Sequence, residues 1–244
     1  MAEKDKDLNP VEKPEALQES ISKTEVLLEE NKDLISKILI GICLVIGAYF
    51  VYNNWVAEPA EKAGFDSVWP AQKYFEQDSI QKAIEEFDYV ASEHSGTKAG
   101  NLANLYLGLS LLKDGQFEEA LISFEEFDAK GELFPGLKVG LIADCHSELD
   151  NVDEAVANYK KAAKLLDAKS VSPYYLKKAG ILLEQNDDID GAIAVYELAI
   201  NSYLKDAPPS LNTTKNEMKK LLAKLIKEKF TLLNLVLNLL FLIL

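Results

Sequence analysis

The spacing of apolar positions divides the chain into stretches of different rhythm. Residues 1–20 are polar, carry Pro10 and Pro14 and show no apolar period, which predicts a tail without a packed core. Ser22 and Glu25 form a capping-box pattern ahead of Val26, Leu27 and Leu28 and predict a helix start there. The run Ile38–Tyr52 (ILIGICLVIGAYFVY) has no charge, and extending it to Leu34 and Ala57 gives 24 residues. That length exceeds the roughly 20 residues a helix needs to cross the hydrocarbon of a bilayer. The run is apolar on every side rather than on one face, unlike the helix of a soluble core. Lys37 can snorkel at one end, and Tyr49, Tyr52 and Trp55 suit the interface at the other. An acidic stretch before the run and Glu58-Pro59 after it favour an uncleaved anchor over a signal peptide.

Beyond residue 64 the rhythm becomes helical and then repeats. Gly108, Ala143 and Gly180 are each followed twelve positions on by Ala120, Ala155 and Ala192. Four further on stand Phe124, Tyr159 and Tyr196, and three beyond those Phe127, Ala162 and Ala199. A weaker copy precedes them in Ala71, Tyr74, Ile80, Ala83 and Phe87. A small residue on one helix and an Ala on the next let two helices approach closely. The aromatic residue, with Phe117, Val152 and Ile189, fills the space between units. Gly115, Asp150 and Asp187 mark the intervening turns. After Pro208 and Pro209, the positions Met218, Leu221, Leu222, Leu225 and Ile226 predict one more amphipathic helix.

The periods of 35 and 37 and the small–Ala–aromatic register resemble the tetratricopeptide repeat, a pair of antiparallel helices of about 34 residues. The resemblance implies an all-α chain in which a transmembrane helix precedes an α-solenoid of helix pairs. The expected organisation is an acidic tail over 1–33, an anchor over 34–57 and a repeat domain over 64–206. Its units lie near 64–100, 101–135, 136–172 and 173–206. A capping helix over 207–229 and an apolar tail over 230–244 complete the chain.

Charge changes this picture in two ways. The chain has 244 residues and a formal net charge of −14, and its 26 basic residues are all Lys. An acidic chain without Arg lacks the field and the forks that nucleic acid and phosphate demand, so no nucleic-acid partner is expected. The excess is also uneven: 1–37 has six Lys and ten acids, 58–200 has 13 and 27, and 201–244 has seven and three. The last segment is therefore basic. Its five lysines Lys219, Lys220, Lys224, Lys227 and Lys229 precede an apolar stretch, Phe230–Leu244, broken only by Thr231, Asn234 and Asn238. Three readings of that stretch stay open: a second membrane contact, a terminal docking helix, or a reading-frame change near the end of the gene. Lys23, Lys32 and Lys37 before the anchor, against Lys62 and Lys73 after it, favour a cytoplasmic N-terminus by a narrow margin. The lysines of the tail argue the other way if it spans.

Little chemistry is on offer. Two Cys, Cys43 and Cys145, make neither a disulfide framework nor a zinc pattern, and two His, His94 and His146, leave little for triad or metal work. Neighbouring residues on a helix point about 100° apart, so Cys145 and His146 are no nucleophile–base pair by adjacency. Asn186-Asp-Asp188-Ile-Asp190-Gly191, with Glu197, matches much of a calcium loop. The repeat register, however, keeps Ala192, Tyr196 and Ala199 on one helix. No enzyme activity, cofactor or metal is expected.

The resemblance implies that the first helices line an inner face that binds protein. That lining comprises Phe65, Val68, Phe75, Leu102, Leu105, Leu109, Leu112, Asp144, Glu148, Tyr174, Lys177 and Ile181. One variant of the family binds C-terminal carboxylates with Lys and Asn on this face. Leu105 and Leu109 stand where those would be, so that activity is not implied. The lining suits an extended or amphipathic polypeptide, or pairing with a second copy in a homo-oligomer. An acidic single-pass anchor before such repeats, with the segment 95–108 (SGTKAGNLANLYLG), is similar to the membrane-anchored bacterial tetratricopeptide proteins of the translocon-accessory type. That likeness implies the inner membrane, a periplasmic repeat domain, and partners among other proteins of secretion or envelope assembly.

Overall fold

The computed structural model describes residues 29–243, and the Ser22 capping box and the polar stretch 1–20 lie outside them. The chain divides into two units, Met1–Pro59 and Ala60–Leu244.

The first unit contains α1 (Lys32–Tyr52), followed by a π-helical segment, Asn53–Ala57. No residue of α1 is buried. Where the chain turns polar, the Asn54 Nδ2 donates back to the Phe50 carbonyl at 3.0 Å, keeping the amide within the helix. Among the described residues one helix is long and apolar enough to cross a membrane by length and composition, with a mean hydropathy of 2.4 over its most apolar window.

The second unit is built from helix pairs: α2 (Glu58–Glu76) with α3 (Ile80–Glu93), α4 (Lys98–Asp114) with α5 (Phe117–Glu126), α6 (Phe134–Glu148) with α7 (Val152–Leu166), and α8 (Ser172–Gln185) with α9 (Ile189–Leu198). A π-helical segment, Ala199–Leu204, and a single 3-10 turn, Pro209–Leu211, lead to α10 (Asn212–Ile243). The described residues form helices and connecting turns without a strand.

The sequence register explains the pairing. A Cβ added at Gly108 would lie 2.6 Å from the Phe124 ring, and one at Gly180 2.3 Å from the Tyr196 ring. In these two pairs the aromatic side chain of the second helix thus lies directly on the small residue of the first. Each within-pair turn holds one residue in the left-handed region: Asp78 (φ 61°), Gly115 (85°), Asp150 (57°) and Asp187 (60°). Asp and Gly tolerate that region best, and the weak first copy uses the same device as the other three. Thr97 caps α4, its hydroxyl accepting from the Gly100 amide at 3.0 Å. Pro135 and Pro173 lie in the first turns of α6 and α8, where a missing N–H costs nothing.

Two apolar clusters fill the solenoid. One gathers Phe87, Val90, Leu111 and Phe124 from the first two pairs, and the other Tyr159, Leu176, Val195 and Tyr196 from the last two. α6 serves both, giving Leu141 and Cys145 to the first and Ala143 to the second. α10 buries Met218 and Leu225 in the second cluster. Lys224 and Lys229 of α10 reach Glu184 and Asp190, and its Glu217 receives Lys177. α4 starts at Lys98, capped by Thr97, and α10 runs unbroken through Lys229 into the apolar stretch that follows it.

Candidate functional site: the face lined by the first helices

The ends of α4, α6 and α8 enclose a concavity of about 540 Å³. Leu112, Phe117, Ile181 and Leu182 supply its apolar wall, and Lys113, Asp114, Asp144, Ser147, Glu148, Lys178 and Gln185 its polar one. Asp144 holds the polar side together. Its Oδ1 accepts from the Tyr159 hydroxyl at 2.6 Å and from the Lys178 Nζ at 2.7 Å. Lys178 also lies 5.6 Å above the Tyr159 ring and 5.2 Å above that of Tyr174. Burial, then the hydrogen bond to Asp144, then its charge push the Tyr159 hydroxyl well above the usual phenol range. Burial by itself lowers Lys178, but the hydrogen bond and charge of Asp144 outweigh it, and its pKa is raised. This cation stays charged and spoken for. Lys113 is bound by Asp78, whereas Glu148 is exposed and makes no ion pair among the described residues.

A second concavity, of about 950 Å³, lies at the starts of α4 and α6. The Asn101 side chain braces its floor, its Nδ2 donating to the Asp128 carbonyl at 3.1 Å and its Oδ1 accepting from the Asp128 amide at 2.6 Å. Glu61 accepts from the first amide of α4, Lys98, at 2.9 Å, and so occupies that helix N-terminus from within the chain. Phe127 and Phe134 meet edge to face at the rim.

Of the expected lining, Leu112, Asp144, Glu148 and Ile181 come together in the smaller concavity, and Leu102 and Leu105 in the larger. Val68 and Leu105 are only 3% and 7% exposed, because the helices rotate them into the first apolar cluster. Leu109 is half-buried in that cluster. Phe75 packs on Tyr106 at 5.8 Å. Lys177 is taken by Glu217 of α10. Phe65 and Tyr174 are exposed outside both concavities. Tyr159 and Lys178 were not expected at the site; the change from Phe87 and Phe124 to Tyr159 and Tyr196 along the repeat was the available signal.

Other residues with chemical potential have structural roles. Burial, then the Asp144 charge, push the Cys145 thiol up to about 12, so it stays protonated at neutral pH. In the segment resembling a calcium loop, Asp188 caps α9 by accepting from the Gly191 amide at 2.9 Å, and Asp190 pairs with Lys229. Gly191 and Ala192 are helical, where a calcium loop would be open.

The class this geometry defines is an all-α solenoid of helix pairs with a concave inner face. Residues 60–180 match the family described as "Tetratricopeptide repeat-like domain". Those residues thus have the tetratricopeptide repeat-like fold, which generally mediates contacts between proteins. Among solved structures, one from Podosopora anserina, described by its kinesin-light-chain, nearly identical TPR-like repeats, is 15% identical with a TM-score of 0.53, covering 68% of this chain and 86% of that one. The MamA protein is 18% identical with a TM-score of 0.49, covering 69% and 87%. No curated protein matches the sequence.

Proposed function

We propose that this protein is a membrane-tethered scaffold that binds polypeptide segments along the face lined by its first helices. The observation that carries the reading is the smaller concavity, where an apolar wall from the second and fourth pairs faces Glu148 and the Asp144–Lys178 pair. An extended segment with alternating apolar and basic side chains fits that division of walls. α1 supports the tether through its length, its hydropathy and its lack of any buried residue. Tethering raises the local concentration of the groove at the membrane without adding contacts. In our reading the membrane is the bacterial inner membrane, with the N-terminus cytoplasmic and the repeats periplasmic. Assistance to secretion or envelope assembly follows from that placement.

Photocrosslinking tests this in intact membranes. A photoreactive residue at Ile181, inside the concavity, is expected to capture polypeptide adducts that one at Ile122, exposed on α5, does not. Equal capture at both positions overturns the groove. Adducts at the mass of two chains would replace it with self-association.

A further inference from the structure

α10 changes character at Lys229. Before it, Met218, Leu221, Leu222 and Leu225 form the docking face, within an arc of about 100° at the angular step of an α-helix. After it, Phe230, Leu232, Leu233, Leu235, Val236 and Leu237 spread over about 220°. Each of these six is 51–62% exposed. The remaining arc is a narrow stripe of Thr231, Asn234 and Asn238, and the sequence has no charged residue after Lys229. Lys220 and Lys227 fall on the helical azimuth of that stripe, opposite the docking face, and make no ion pair among the described residues.

One partner helix or one protein groove covers an arc of about 100°, so an arc twice as wide is not satisfied by a single protein contact. A helix lying flat in the headgroups carries charge along its polar face, and this stripe has none. Hydrocarbon suits both features, and the free lysine at its base suits an anionic headgroup. We propose that residues 230–243 of α10 enter the hydrocarbon of an anionic lipid bilayer, with Lys227 at the headgroup phosphates. Lys229 stays on Asp190 and holds the base of the inserted segment to the last repeat. Fourteen residues reach about 21 Å at helical rise, well past the headgroups into a hydrocarbon layer of about 30 Å.

The test uses the full chain reconstituted in phosphatidylcholine–phosphatidylglycerol vesicles carrying spin labels midway along the acyl chains. An environment-sensitive fluorophore is placed on native Cys43 of α1, on Leu235→Cys in a Cys43→Ala background, and on Ile122→Cys in the same background. Cys145 is fully buried and stays unlabelled. Position 235 is expected to be quenched about twofold or more relative to position 122, as a side chain in hydrocarbon must be. Quenching at 235 no greater than at 122 overturns the proposal. Disulfide crosslinking between two copies at 235 without quenching overturns it in favour of a second copy. Cys43 reports the tether separately: loss of quenching there removes the α1 reading and leaves this one standing.

Discussion

Two tyrosine–carboxylate pairs occupy successive repeats and are closed in different ways. In the third pair of helices, Tyr159 donates to Asp144, and Lys178 from the first helix of the next pair completes the contact. In the fourth, Tyr196 donates to Glu184 at 2.6 Å, and Lys224 of α10 reaches the other carboxylate oxygen at 3.3 Å. α10 therefore stands to the last repeat as α8 stands to the one before it. It ends the solenoid by imitating the next first helix: its lysine meets the acid and its Met218 and Leu225 seal the apolar cluster. This explains the uneven charge of the chain. The basic segment after residue 200 sets lysines against acids of the last repeat.

What the two pairs share gives the largest expected effect. Burial, then the hydrogen bond to the neighbouring acid, then its charge raise both tyrosines above their ordinary value of 10.0. Above pH 10 the unfolded chain gives up these protons and the folded chain keeps them, so unfolding releases protons and stability falls as pH rises. The contribution is fully present below pH 10. Each pair is expected to cost about 1.4 kcal/mol per pH unit above that point. Urea unfolding at pH 9, 10 and 11 checks the slope, and ultraviolet titration of the phenols checks its source. A slope unchanged in the Tyr159→Phe, Tyr196→Phe double variant would break the shared explanation.

The pairs differ in the small residue beneath the ring. Ala143, at the equivalent position of the third pair, already carries a Cβ in the apolar cluster that holds Tyr159, whereas Gly180 carries none and a Cβ there would press into a fully buried Tyr196. Gly180→Ala is expected to destabilise the domain by about 2 kcal/mol through overpacking, despite the better helix propensity of Ala. Denaturation midpoints check this. A stabilised Gly180→Ala variant would mean that the fourth ring lies no closer than the third.

The same residues show what could be read from the sequence and what could not. The small–Ala–aromatic register predicted the helix pairs because it encodes contact between residues 16 apart, as Gly108 with Phe124 and Gly180 with Tyr196, and a repeat displays such contacts several times over. The inner face was less accessible. Helix rotation decides whether a residue of a first helix lines a concavity or enters a core, and a shift of one residue is about 100°, enough to turn Val68 inward and to leave Leu105 buried at the edge of the larger concavity. Asp144 was expected on the inner face, but its partners lie 15 and 34 residues away on other helices. No spacing within one helix reports them. α10 was divisible in sequence, amphipathic and then apolar, but backbone hydrogen bonding continues through the change in side chains.

The finest distinction between the pairs is what remains when the hydroxyl is removed. Asp144 is 22% exposed and keeps Lys178 at 2.7 Å, a charge-assisted bond that holds the carboxylate after Tyr159→Phe. Glu184 is 17% exposed and, among the described residues, keeps only Lys224, at 3.3 Å and from a side chain more than half exposed. Tyr196→Phe therefore leaves a carboxylate with weaker compensation in a drier place. We expect Tyr159→Phe to cost about 1 kcal/mol and Tyr196→Phe about 2 kcal/mol, the difference being the partial desolvation of Glu184. Chemical denaturation of the two single variants measures it. Equal losses would show that Lys224 holds Glu184 as firmly as Lys178 holds Asp144. In that case α10 would close the last repeat as completely as one repeat closes another.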